Sequence, residues 1–139
     1  MSMAQPKLRD FRDLIGVPFM WGGRDPALGL DCWGLVMEIQ RRFGREIPDV
    51  DIACAQALRV HKAAQQQISA LWRPVDAPAP GVVAVMATDH AHPHIIQHFG
   101  VCLDANNILH SQQDTGAVLD RLDILASVLC VKGLYQWRG

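Results

Sequence analysis

The pattern of the chain changes at a proline-rich connector, residues 74–80, and this change most restricts the possible folds. Before the connector, apolar residues recur at helical spacing, whereas after it short apolar runs alternate with turn residues, as is typical of strands. Helices followed by strands favour an α+β domain in which N-terminal helices pack on a C-terminal antiparallel β-sheet. Because 139 residues suit one compact unit, we predict a single domain over 1–139.

Periodicity predicts three helices before the connector, at residues 7–15, 32–43 and 52–71. His61, in the third of these, is expected to be a solvated side chain. A glycine-rich loop, residues 21–29, separates the first two helices. Five strands are expected after the connector, at residues 82–87, 95–103, 108–111, 118–119 and 128–137.

The charge balance excludes several classes of partner. With 13 basic and 14 acidic residues, the chain lacks the excess of positive charge that binding to nucleic acid or an anionic membrane requires. No apolar run approaches the roughly 20 residues that span a bilayer, so we expect no membrane insertion. The polar start, Met1 to Asp10, lacks an apolar signal region, and we therefore expect synthesis in the cytoplasm without a signal peptide.

Four cysteines are present, and none forms the CxxC pair of a structural zinc or redox site. Cys54, Cys102 and Cys130 lie in helical or strand-like apolar surroundings, and we predict them to be small buried residues. Cys32 differs because it follows Asp31, which occupies an N-cap position, and so falls in the first turn of a helix. Unpaired N–H groups and the helix dipole there favour a thiolate, which predicts an activated nucleophile.

A cysteine nucleophile needs a base, and the base needs a third polar group that orients it. His98 lies in the strand at 95–103, and His110 closes the next strand after the turn at 104–107. A hairpin with this turn would place both imidazoles on neighbouring strands, where they could face the sulfur of Cys32. The alternative is that both histidines are ordinary strand residues.

A second histidine group, His90, His92 and His94, would put three imidazoles on one face of a strand and suit zinc or nickel. Pro93 interrupts any regular strand there. We therefore expect a polar loop at the mouth of a cleft, with no metal ion and no cofactor.

The stretch PFMWGGRDPALGLDCWGLV resembles the nucleophile region of NlpC-type cell-wall peptidases, a papain-like family in which DC-x-G-LV carries the catalytic cysteine. HFGVCLDANNILHS is similar to the family's strand pair, where a polar residue follows the catalytic histidine after 12 residues. APGVVAVMA resembles the strand before that histidine. The resemblance implies a papain-like fold and a triad of Cys32, His98 as base and His110 as its orienter, and the N–H of Cys32 is the natural oxyanion donor.

The same resemblance implies hydrolysis of amide bonds in peptidoglycan stem peptides, commonly at the γ-carboxyl of D-glutamate. Predicted substrate-binding residues lie in the nucleophile region, and they are Phe19, Trp21, Gly22, Gly23, Asp31 and Trp33. For Trp33 the alternative is packing in the core or the cavity wall. Arg24 and Asp25 either contact the substrate or fix the loop by local hydrogen bonds. Phe19 departs from the family pattern because many members have a tyrosine there, so its hydroxyl is lost or supplied elsewhere.

Trp33, where serine is common, and GGRDP resemble the branch found in bacteriophage tail-tip proteins and gene-transfer particles. This implies a virion-borne enzyme that acts in the periplasm or cell wall and has tail-tip or baseplate hub proteins as partners. One alternative is a weak or inactive structural tail protein that keeps the peptidase fold for docking. Another is a papain-like amidase or acyltransferase acting on a different amide.

Overall fold

A computed structural model of the chain describes residues 5–50 and 56–139. Within them a 3₁₀-helix at Leu8–Leu14 is followed by three α-helices, α1 (Cys32–Arg42), α2 (Ala57–Leu71) and α3 (Leu122–Val128). The strands are β1 (Arg24–Asp25), β2 (Gly29–Leu30), β3 (Trp72–Pro74), β4 (Val83–Ala87), β5 (His98–Cys102), β6 (Asn107–Gln112), β7 (Gly116–Arg121) and β8 (Cys130–Trp137). Cys54 and the predicted start of the helix at 52–71 lie outside the described residues.

Six strands form one antiparallel sheet in the order β3-β8-β4-β5-β6-β7. β4 to β7 follow one another as neighbours, and β8 returns to pair with the other side of β4. β1 and β2 form a small separate hairpin within the glycine-rich loop. The predicted α+β class is therefore confirmed, with helices first and a large antiparallel sheet afterward.

The main core lies between α1 and one face of the sheet. Leu35, Val36 and Ile39 of α1 are completely buried. They belong to the same cluster as Phe99 and Val101 of β5. Because apolar side chains on both elements interdigitate here, the core fixes the position of α1 against β5.

α3 and β3 are among the elements that differ from the sequence prediction. α3 lies between the last two strands and buries Leu125 alone among its seven residues, so its sequence carries too little periodicity for a helix to be predicted. No strand was predicted at β3, which begins just after the helix predicted to end at 71 and ends at Pro74, the first residue of the predicted connector. It forms because the buried Trp72 packs against Trp137 of β8, and Pro74 is tolerated since β3 is an edge strand.

The helix predicted at 7–15 is a 3₁₀-helix. Its apolar residues Leu8, Phe11 and Leu14 are spaced by three, which matches the three residues per turn of that helix. His61 also departs from its prediction, because its Nδ1 accepts a hydrogen bond of 2.9 Å from the backbone N–H of Ile96. His61 therefore ties α2 to the segment that leads into β5.

Cys102 is buried in β5, as expected, and Cys130 is half-buried at the start of β8. No helix in the described part of the chain combines the length and apolar character that crossing a bilayer requires.

Two glycines allow the loop to lie directly on α1. A Cβ added to Gly34, in the first turn of α1, would collide with the carbonyl oxygen of Gly23. A Cβ on Gly23 would in turn collide with the carbonyl oxygen of Gly29. The backbones therefore approach more closely than any side chain permits, and the loop is held beside the start of the helix.

We expect Gly34→Ala to lower the free energy of unfolding by about 1–3 kcal/mol, because the added methyl overpacks this contact. Helix propensity alone would favour alanine by about 1 kcal/mol, so the sign of the change isolates the collision. Urea unfolding followed by circular dichroism measures it. Val128→Ala, on the exposed side of α3, should change stability by about 0.5 kcal/mol or less. A Gly34→Ala protein as stable as wild type would show that the loop moves away without cost.

Candidate active site

A buried carboxylate positions the start of α1. Asp31 is the N-cap residue, and its Oδ1 accepts a hydrogen bond of 2.8 Å from the N–H of Gly34. Its Oδ2 accepts one of 2.9 Å from the N–H of Gly22, and Nη1 of Arg24 lies 2.7 Å from Oδ1. Asp31 is completely buried. It thus joins the glycine-rich loop to the helix turn that carries Cys32.

Arg24 extends this network to the segment after α1. Its Nη2 donates to the carboxylate of Asp49 at 2.9 Å and to the carbonyl oxygen of Val50 at 3.1 Å. Asp25 accepts a hydrogen bond from the N–H of Ala27 within the loop. Of the two alternatives considered for Arg24 and Asp25, these bonds favour fixing the loop.

Cys32 and His98 line one open cavity of about 480 Å³, a volume typical of ligand sites. Phe19 and Trp21 form an aromatic wall, with their rings edge to face at a centroid distance of 4.8 Å. The other lining residues include amide, hydroxyl and carboxylate side chains, and they are Ala57, Val60, Thr88, Gln97, Ser111, Gln112, Gln113, Asp114 and Leu129. A thiol and an imidazole therefore share a pocket whose walls are part aromatic and part polar.

Behind His98 lies a row of polar groups on three neighbouring strands. Nε2 of His98 is 2.8 Å from Nδ1 of His110, and Nε2 of His110 is 2.7 Å from Oδ2 of Asp120. The register explains the row, because His110 pairs with Gly100 of β5 and Val118 of β7. His98 and Asp120 each lie two residues from those partners and so share the face of His110.

Gly100 provides the space for this row. A Cβ at Gly100 would lie 3.0 Å from the Cβ of His110. His110 itself is completely buried, so it lies behind His98 and not against the cavity. The expectation that both imidazoles face the sulfur is therefore corrected: only His98 lines the cavity with Cys32. Among the described residues, no hydrogen bond joins the thiol to the His98 ring.

The predicted substrate-binding residues fall into two groups. Phe19 and Trp21 line the cavity, where their predicted role stays open to test. Asp31 and Trp33 are buried and do not line the cavity, so substrate binding by them stays a prediction. Trp33 packs against Phe99 at a ring distance of 5.1 Å and donates its indole N–H to the carbonyl oxygen of Pro48.

Gly22 and Gly23 act through the backbone in this structure. Gly22 donates its N–H to Asp31, and Gly23 is a buried residue of the loop. Neither glycine lines the cavity, so substrate binding by them stays a prediction.

Sequence reasoning missed Asp120. The strand predicted at 118–119 stopped one residue short of it, whereas β7 runs from Gly116 to Arg121. The available signal was strand alternation, since Asp120 lies two residues after Val118 and shares its face. Only the register shows that this face is also that of His110.

Cys32 and His98 are both uncharged at rest. Burial, together with the Asp31 carboxylate, raises the pKa of the Cys32 thiol to about 12 and outweighs the opposing effect of nearby backbone N–H groups. Burial likewise lowers the pKa of His98 to about 3, and the adjacent His110 contributes to this. The expected activation of the thiol by its helix position is thus absent in this conformation, because desolvation of the thiolate dominates. A thiol and a neutral imidazole face the cavity.

The second histidine group lies in an exposed loop. His90, His92 and His94 are all exposed, and Nδ1 of His92 lies 2.9 Å from the carboxylate of Asp89. In residues 5–50 and 56–139, no group of three or more His, Cys, Asp or Glu side chains is arranged to hold a metal ion.

The sequence matches a protein-family model, that of the NlpC/P60 family, over residues 16–124. Comparison with curated proteins gave no match. A solved structure of NlpC2 from Trichomonas vaginalis is similar to this chain, with a TM-score of 0.66 and 15% identity over 89% of this chain and 43% of its own.

Two further structures are similar. The NlpC/P60 domain of the peptidoglycan hydrolase SagA has a TM-score of 0.56 and 17% identity, covering 89% of both chains. A protein similar to lipoprotein, of the NLP/P60 family, from Staphylococcus aureus subsp. aureus Mu50 has a TM-score of 0.59 and 17% identity over 98% of this chain and 44% of its own. The chain thus spans less than half of two of the three structures. These likenesses confirm the papain-like fold.

We expect alkylation of Cys32 by iodoacetamide, without substrate, to accelerate about tenfold per pH unit between about pH 6 and pH 9. The thiolate is the reactive form, and a pKa near 12 lies far above this range. Mass spectrometry of the peptide that contains Cys32 gives the rate. In a urea-unfolded control the rate should level off near the free-thiol pKa of about 8.5. A plateau below about pH 7 in the folded protein would contradict the neutral resting state.

Proposed function

The chain belongs to the NlpC/P60 family, a family of cysteine peptidases and peptidoglycan hydrolases, and from that premise we propose that it hydrolyses amide bonds in peptidoglycan stem peptides. One observation carries the proposal. Cys32 and His98 line the same open cavity, and His98 is held from behind by His110. A thiol, a base and an orienting group in this order suit nucleophilic acyl transfer.

The start of α1 supports the predicted oxyanion site. The N–H of Cys32 lies in the first helical turn, where N–H groups have no acceptor within the helix. Such a donor lies next to the carbonyl that the sulfur attacks and can stabilise the negative charge that develops on its oxygen.

Cys32 and His98 are both uncharged at rest, and the thiol must therefore lose its proton to a general base as it attacks. As Sγ of Cys32 attacks the amide carbon, the thiol proton passes to His98. The C–N bond then breaks, His98 returns this proton to the departing amine, and a thioester remains. Water gives a proton to His98 as it attacks the thioester, the C–S bond breaks, and the proton restores the thiol. The net reaction consumes one amide and one water and yields one carboxylic acid and one amine.

The cavity suits a peptide substrate. Side-chain amides of Gln97 and Gln112 can bind peptide groups, and the wall of Phe19 and Trp21 can contact apolar parts of the stem peptide. Phe19 supplies no hydroxyl, and the Ser111 hydroxyl, which also lines the cavity, donates to the carbonyl oxygen of Leu30 at 3.2 Å. We propose cleavage at γ-D-glutamyl linkages, which the family resemblance supports.

We also propose that the protein is carried at a phage tail tip, with tail-tip or baseplate hub proteins as partners, and acts on the wall during infection. The support is the resemblance of GGRDP and Trp33 to that branch of the family. In the structure Arg24 of this motif binds Asp31 and Trp33 packs in the core. Arg24 and Trp33, two residues of this resemblance, therefore lie at the start of the helix that carries Cys32 and help to fix it.

We expect wild-type protein to release cleaved stem peptides from purified peptidoglycan, and Cys32→Ala to release none, because alanine removes the nucleophile. Mass spectrometry of the soluble muropeptides measures this and identifies the bond from the new ends. Cys102→Ala is a matched control, since Cys102 is also buried but lies outside the cavity, and it should retain activity. Absence of product from wild type would overturn the hydrolase proposal in favour of docking or another amide. A new carboxyl end other than that of D-glutamate would overturn the bond assignment.

The tail proposal has its own test. Antibodies against the chain should label the tail tip of particles from the source, as seen by electron microscopy of immunogold-stained samples. Particles treated with pre-immune serum are the control. Particles without label, in a preparation whose cell lysate contains the protein, would refute the tail location and leave the peptidase proposal intact.

A further inference from the structure

We propose that Asp120 is a positioning residue: acting through His110, it selects which ring nitrogen of His98 is free to accept the thiol proton. The inference rests on the proposed function, in which His98 is the base. It concerns a residue on β7 that lies two side chains away from the cavity.

The first step is the contact between Asp120 and His110. Oδ2 of Asp120 lies 2.7 Å from Nε2 of His110. A carboxylate only accepts hydrogen bonds, so Nε2 of His110 carries the hydrogen. In its neutral form an imidazole has a single N–H, and Nδ1 of His110 is then an acceptor.

The second step is the hydrogen bond between His110 and His98. Nε2 of His98 lies 2.8 Å from Nδ1 of His110 and must donate its hydrogen to that acceptor. The amide nitrogen of Gln112, 3.4 Å from the same Nδ1, is a second donor group and agrees with this direction. Nδ1 of His98 is then left with a lone pair, which is the state that can take a proton from Cys32.

Without the carboxylate, the two imidazoles would have no fixed direction. In the reversed arrangement Nδ1 of His110 donates to Nε2 of His98, which then carries its hydrogen on Nδ1 and cannot act as the base at that atom. Asp120 excludes this arrangement because it would leave Nε2 of His110 as an acceptor facing another acceptor. The carboxylate also favours the positive charge that His98 gains while Cys32 attacks.

Replacement of Asp120 should leave the packing of the hydrophobic core intact. Its side chain is 43% exposed, and it lies on β7, the edge strand of the sheet. Its hydrogen bond to His110 is its sole side-chain bond to a described residue. The effect of substitution should therefore appear in the orientation of the histidines more than in stability.

The test compares wild type with Asp120→Ala and Asp120→Glu, using Asp123→Ala as the matched control. Asp123 is a nearby exposed carboxylate that binds Arg121 and contacts neither histidine. Two-bond ¹H–¹⁵N NMR spectra report the tautomers of His98 and His110 without substrate. Muropeptide release gives kcat and KM, and thermal unfolding checks that each variant is folded.

We expect wild-type His98 and His110 to be Nε2–H tautomers and Asp120→Ala to show a mixture of tautomers at both rings. Its kcat should fall about 10- to 100-fold with little change in KM, since the cavity is untouched. Asp120→Glu should recover much of the loss, and Asp123→Ala should match wild type. Unchanged tautomers in folded Asp120→Ala, or a kcat within about twofold of wild type, would overturn the inference. If wild type cleaves no peptidoglycan, the function fails while the tautomer comparison still decides the role of Asp120.

Discussion

The arrangement of the site depends on one buried ion pair, that of Asp31 with Arg24. A carboxylate with no access to water is tolerated only when its charge is paired and its oxygens are hydrogen-bonded. Arg24 at 2.7 Å and the N–H groups of Gly22 and Gly34 meet this requirement, and in doing so they fix the loop on the start of α1. The same negative charge contributes to the high pKa of Cys32. The group that positions Cys32 thus also helps burial to keep its thiol protonated at rest.

Sequence alone predicted the parts of the fold that are set by local rules. The start of α1 at Cys32 follows from the capping residue Asp31, and its end follows from Gly44, whose positive φ of 81° suits glycine. The spacing of His98 and His110 around a turn likewise predicted adjacent strands, because a short turn fixes which residues of a hairpin are neighbours. These features depend on residues close together in the chain.

The features that sequence did not reveal depend on distant packing. The ionisation of Cys32 is governed by burial, which contact with the sheet sets and no helix-end rule anticipates. The sequence suits Trp33 equally to a substrate groove and to the hydrophobic core, and only its contact with Phe99 in the folded chain distinguishes the two. Asp120 became part of the site only through the register of β6 with β7, because a shift of one residue would point it to the opposite face.

The two halves of the site are encoded far apart. His98, His110 and Asp120 occupy three consecutive strands joined by short turns, so this half assembles from local pairings, whereas Cys32 belongs to a helix near the beginning of the chain. On the ribosome the thiol therefore emerges first and has no base beside it. Cys32 and His98 come together only after β7 has left the exit tunnel and docked, so the thiol meets the imidazole after both halves of the site have been synthesised.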